Sequence, residues 1–128
     1  MSKIAVPDEV RRFILTSVPS VPYLEALLLL RAEPTQPWDA FSVARRLYIG
    51  ENHAQELLNA LRQSGVADTS DGSRFLYAPA TEELRQRLDT LAATYAQNLV
   101  GVTALIHSRL DKRAQQFADA FRFRKDGS

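Results

Sequence analysis

Residues 44–66 read ARRLYIGENHAQELLNALRQSGV. On either side of Arg45 and Arg46, Ala40, Val43, Ala44 and Leu47 fall at i, i+3, i+4 and i+7, the spacing of one helical face. Beyond the short Tyr48-Ile49-Gly50 segment, Ala54, Leu57, Leu58 and Leu61 repeat that spacing. Asp39 is suited to cap the first of these helices, which is expected to end near Leu47. The second is expected from about Glu51 to Ser64, with Gly65 as its stop. Two short amphipathic helices joined by so tight a turn must bury their apolar faces against each other and against a third element.

The sequence upstream supplies that third element. Pro19 and Pro22 bracket Ser20, a good N-cap, and a helix is expected from there to about Ala32, before Pro34. Leu24, Leu27, Leu28 and Leu30 make it apolar on most faces, which suits a central position. A shorter helix is expected from about Pro7 to Thr16, with Asp8 and Glu9 at the positive end of its dipole. Downstream, VADTSDGSRFLYAP carries a tight-turn signal at Asp71-Gly72 between Val66 and the β-prone Phe75, Leu76 and Tyr77. This reads as a small two-stranded hairpin. None of the six prolines follows Pro79, so a long helix is expected from a Thr81 cap. Leu84, Leu88, Leu91, Tyr95, Leu99, Val102, Ile106 and Leu110 step by threes and fours along it. SRLD at 108–111 offers a restart that would divide it into a helix pair, with Ala114, Phe117 and Phe121 continuing the stripe.

Three helices followed by a hairpin is the order of a winged helix. Val43, Ala44, Leu47, Ile49, Ala54, Leu57, Leu61, Gly65 and Val66 carry a resemblance to the winged helix-turn-helix superfamily, as in small bacterial regulators of the MarR and PadR kinds. The resemblance spans about Pro22 to Pro79. It implies a mainly α fold: a three-helix core and a small β-hairpin wing, with an N-terminal helix and a long C-terminal helix or helix pair. The corresponding division is an N-terminal arm over 1–20, the winged helix-turn-helix over 21–80 and a C-terminal packing or dimerisation segment over 81–128. One position departs from the older pattern, which favours glycine directly after Leu47. Tyr48 stands there, and Gly50 is expected to relax the turn instead. The resemblance also implies dimerisation through terminal helices.

Composition narrows the function. The 128 residues carry a net charge of +1, so no overall field draws the chain onto nucleic acid or anionic lipid. Within the helix pair, Arg45, Arg46 and Arg62 are balanced by Asp39, Glu51 and Glu56, and in the hairpin Arg74 faces Asp68 and Asp71. The polar face of the second helix is more informative. Asn52, His53, Gln55, Asn59 and Arg62 lie opposite its apolar stripe, and such amides and cations match the hydrogen-bonding edges of adenine and guanine. Arg45 and Arg46 are candidates for phosphate contacts, and Arg74 for a minor-groove contact. Each is equally at home as a solvated surface residue. The segment from Arg109 to Lys125 is the most basic, but its interleaved Phe117, Phe121 and Phe123 favour burial over a nucleic-acid or membrane-surface role.

Enzymatic activity is not expected. The chain has no cysteine, which removes thiolate chemistry and disulfides. Its two histidines, His53 and His107, lie outside any metalloprotease spacing, and His107 with Asp111 or His53 with Glu56 makes only a minimal metal pairing. No glycine-rich phosphate loop and no nucleophile turn is present, and no cofactor is implied. With no apolar run of signal or membrane-spanning length, the expectation is a cytoplasmic protein without a membrane partner. A 30-residue helix would extend about 45 Å, past so small a core, so Leu99, Val102 and Ile106 are expected to meet a second copy; the competing expectation is a break near Ser108 after which Phe117 and Phe121 fold back and cover the stripe in the same chain. The leading expectation is a homodimeric transcriptional regulator that binds double-stranded DNA. The alternative is a winged-helix module that binds a protein partner and no DNA.

Overall fold

A computed structural model of the chain describes residues 6–108, and Gln116 beyond them. Helices α1 (Asp8–Ser17), α2 (Val21–Ala32), α3 (Ala40–Leu47) and α4 (Glu51–Gln63) precede strands β1 (Ala67–Thr69) and β2 (Phe75–Tyr77). Helix α5 (Glu82–Gln97) follows, then α6 (Leu99–Ser108). Helices α2, α3 and α4 pack on one another, the hairpin lies against α2 and α4, and α1 packs on α5. The fold is mainly helical, with a winged helix-turn-helix at its centre.

The caps fall where the side-chain chemistry asks for them. Ser20 Oγ accepts from the Tyr23 N–H at 3.2 Å, and Pro22 sits in the first turn of α2, where its missing N–H costs nothing. Asp39 and Ser42 form a reciprocal capping box at α3. Thr81 Oγ1 accepts from the Leu84 N–H at 3.0 Å and starts α5. The apolar face of α4 closes the core: Ala54, Leu58 and Leu61 are fully buried. Helices α1 and α2 meet at a bend of 111°, which folds the first helix back beside the fifth.

The wing has a third contributor. Trp38 pairs with Phe75 as an antiparallel bridge, each N–H donating to the other's carbonyl at 2.8 Å. Both side chains are buried. The segment between α2 and α3 is thereby sewn to β2 before α3 begins. The hairpin itself is wider than a two-residue turn, because Thr69 is opposite Phe75 and residues 70–74 form the connection.

Helices α3 and α4 end in the same way, with different residues. At the end of α4 the Val66 N–H donates to the Leu61 carbonyl at 2.9 Å and the Gly65 N–H to the Arg62 carbonyl at 3.0 Å. Gly65 holds φ at 79°, as this left-handed cap requires. At the end of α3 the Ile49 N–H donates to the Ala44 carbonyl at 3.1 Å, and the left-handed residue is Tyr48, at φ 57° and ψ 48°. The expectation that Gly50 would relax the turn is corrected. Gly50 has φ −72° and serves as the N-cap of α4, while Tyr48 takes the strained conformation.

The long C-terminal helix is also corrected. It breaks at Asn98, well before the restart expected at Ser108. Asn98 leaves the helical region at φ −145° and ψ 65°, its N–H closing α5 on the Thr94 carbonyl. Its Oδ1 then accepts from the Gly101 N–H at 2.9 Å, and its carbonyl from the Val102 N–H at 3.1 Å. One residue ends α5 and caps α6, as asparagine's affinity for N-cap positions allows. The break lets the chain cover its own stripe, so Val102 and Ile106 are fully buried within it and the need for a second copy at those two side chains disappears. Leu99 stays 53% exposed. The expected restart beyond Ser108, with Leu110, Phe117 and Phe121, lies outside the described residues.

Two outcomes follow for stability. Tyr48→Gly removes a left-handed side chain and is expected to stabilise the fold by about 1 kcal/mol, measured by denaturant unfolding; a loss of stability would contradict the cap assignment. Gly101→Ala acts oppositely. A Cβ there would fall 2.5 Å from Asn98 Nδ2 and 2.8 Å from its Oδ1, displacing the cap. At an open helical site the same change stabilises by about 1 kcal/mol; here the melting temperature is expected to fall, and a rise would contradict the cap.

Candidate nucleic-acid interface

Helix α3 ends in two cations. Arg45 lies over the Phe41 ring, 5.7 Å from its centroid, and Arg46 over the Trp38 ring at 5.5 Å. Both side chains are exposed. Resting each guanidinium on an aromatic face limits its freedom while leaving its N–H groups available.

Helix α4 presents Asn52, His53, Glu56, Asn59 and Arg62 to solvent, with Gln55 half-buried. Gln55 Nε2 donates to Asn59 Oδ1 at 3.1 Å, so two of the expected base-reading amides are held together one turn apart. The first turn of α4 has no side-chain cap and carries Glu51. The glutamate is favourable at the positive end of the helix dipole and offsets its potential. Arg62 is at the far end of the helix, in its last turn.

The acidic residues of the wing have structural work. Asp71 Oδ1 accepts from the Ser73 N–H at 2.8 Å and the Arg74 N–H at 3.0 Å, and these amides hold its carboxyl below the usual range. Thr69 Oγ1 donates to the Arg74 carbonyl at 2.6 Å and accepts from the Gly72 N–H at 2.9 Å. Asp71 is therefore committed to folding the turn that carries Arg74. At the start of α3, the Ser42 N–H and hydroxyl pull the Asp39 carboxyl down, and the Arg74 charge adds to this. Arg74 on the wing thus lies within electrostatic reach of the N-terminus of α3. The polar side chains of α4, the α3 cations and the wing arginine all belong to the helix-turn-helix and wing.

Sequence reasoning missed two features here. Trp38 offered only a large apolar residue after a proline, and its partner lies across the chain at Phe75. The other is a half-open cleft of about 400 Å³. Phe13 and Pro19 reach it from the α1–α2 corner, Tyr23 from α2, Ala60 and Ser64 from the end of α4, and Leu84 from α5. Burial pushes the Tyr23 phenol above its ordinary pKa, partly opposed by a hydrogen bond with Ser64. No single stretch of sequence could show a cleft assembled from four helices. Among the described residues, no three His, Asp or Glu side chains gather as a metal ion would need, and no single helix is long and apolar enough to cross a membrane.

No protein-family model matches the chain, and no curated protein matches it either. A solved structure of similar shape is the crystal structure of apo (heme-free) PefR, at 16% sequence identity and a TM-score of 0.49, covering 88% of this chain and 87% of that one. The class is defined by the chain's own element order: a winged helix-turn-helix flanked by terminal helices.

The capping box makes a pH prediction. Because the folded Asp39 carboxyl titrates below its unfolded value, the stability it adds is complete above the unfolded pKa and is lost as pH falls through the folded one. Asp39→Asn keeps a cap but does not titrate. Melting temperatures from about pH 7 to pH 2 are expected to fall more steeply in the unmutated chain. Parallel curves would contradict the assignment.

Proposed function

We propose that this chain is a DNA-binding transcriptional regulator whose α4 enters the major groove. The observation that carries the reading is the exposed amide-and-cation face of α4, directly after a helix-turn-helix turn whose preceding helix ends in Arg45 and Arg46. Asn52, Gln55 and Asn59 supply base-edge chemistry, with His53 and Arg62 beside them. Arg45 and Arg46 neutralise phosphates, and Arg74 on the wing reaches the neighbouring backbone or minor groove.

The balanced charge of the helix pair supports a second reading, a winged helix that docks on a protein partner and binds no DNA. The two readings separate by mutation. Alanine at Asn52, Gln55 and Asn59 is expected to change which duplex sequences are retained. Alanine at Arg45 and Arg46 is expected to weaken all duplexes alike and to flatten the salt dependence. Binding unchanged by all five substitutions would move the interface elsewhere.

The regulator acts in this proposal as a homodimer, the commonest closed oligomer. With Val102 and Ile106 already covered, the exposed large apolar side chains left on α6 are Leu99, at 53%, and Val100, at 75%. Sedimentation at micromolar concentration is expected to give a dimer, and Leu99→Glu with Val100→Glu a folded monomer. An unmutated monomer would overturn the dimer, and a dimer that survives both charges would place its interface on another surface.

A further inference from the structure

Tyr48 is the one non-glycine residue at positive φ among the described residues, and it is also the most exposed large hydrophobic side chain among them, at 93%. The two facts belong together. A β-carbon in the left-handed region is unfavourable, and the chain places glycine at the equivalent position after α4, where Gly65 makes the same hydrogen-bonded cap. Tyr48 contributes nothing to the core that would offset its strain. Strain held at an exposed site without a packing return marks a functional position.

Resting on the DNA reading above, we propose that Tyr48 is a DNA-backbone contact, its phenol directed at duplex phosphate by the left-handed turn. The residue stands two positions before Gly50, the N-cap of α4, and so at the end of the helix that the reading places in the groove. It follows directly on α3, whose exposed Phe41 and Arg45 already stack ring on guanidinium. The end of α3 and its turn thus carry a cation that suits phosphate and, at Tyr48, an exposed ring that suits the apolar face of a sugar. The hydroxyl supplies an uncharged donor, which adds affinity where the net charge of the unit supplies little. A phosphate contact positions the protein and carries no sequence information, so its loss lowers affinity for every duplex without changing preference.

The test uses the full chain, a panel of duplexes selected by it, and the variants Tyr48→Gly and Tyr48→Phe. Tyr48→Gly is expected to melt higher than the unmutated protein and to bind all duplexes about tenfold more weakly, a difference of roughly 1.4 kcal/mol. Tyr48→Phe retains the strain and the ring; it is expected to melt like the unmutated protein and to bind between the two. A more stable Tyr48→Gly that binds every duplex with native affinity overturns the Tyr48 contact and leaves the DNA reading standing. An unmutated chain that retains no duplex overturns both. A change in sequence preference with unchanged mean affinity also overturns the backbone assignment.

Discussion

The reciprocal pair of hydrogen bonds between Trp38 and Phe75 is the constraint on which the arrangement of helices and wing depends. A two-stranded hairpin alone is marginal in water. This one is fastened, at the end of β2 next to its connecting turn, to the segment that enters α3, with both side chains driven into the core. The bridge sets where α3 begins, the capping box of Asp39 follows at the next residue, and the turn at Tyr48 then fixes where α4 can start. Arg46 rests on the outer face of the same indole. One buried tryptophan thereby joins the wing, the positioning helix and a surface cation.

The ends of α3 and α4 show how a fold of modest size accommodates functional demands. Both close with the left-handed cap, and only the second uses the residue that the backbone favours. The proposed return for the strain at Tyr48 is a contact outside the protein, and loss of stability at such positions is the usual companion of binding sites. At the C-terminal end the compromise is different. Asn98 interrupts a stripe that would otherwise run beyond its core, and the interruption lets Val102 and Ile106 be buried by their own chain.

Much of this was legible in the sequence because local signals agreed. Ser20, Asp39 and Thr81 are caps by chemistry and act as caps in the structure, and the apolar spacing of α3 and α4 gave their buried faces. The break at Asn98 was hidden because the apolar steps of three and four run through it without a gap; only the asparagine with Gly101 three residues on marked it. The Trp38 bridge was hidden because pairing partners so distant in sequence leave no periodic trace. Of the candidate site, the residue types on α4 were readable, but the Gln55–Asn59 pair, the commitment of Asp71 to the wing turn and the left-handed Tyr48 depend on backbone geometry that residue identity does not fix.

Charge separates the DNA reading from its alternative, and it makes the account quantitative. Each neutralised phosphate contributes roughly −0.9 to the slope of log affinity against log salt. Arg45, Arg46 and Arg74 together therefore set a slope of about −3 per protomer and about −5 for the dimer, with selectivity resting on the amides of α4. The most direct measurement is equilibrium binding of the full chain to genomic duplex fragments across a salt series from low to physiological concentration. The account predicts retention of a small subset of fragments that persists at physiological salt with a slope near the dimer value. Retention of no fragment at the lowest salt, or equal retention of all fragments with a steep slope, would contradict it.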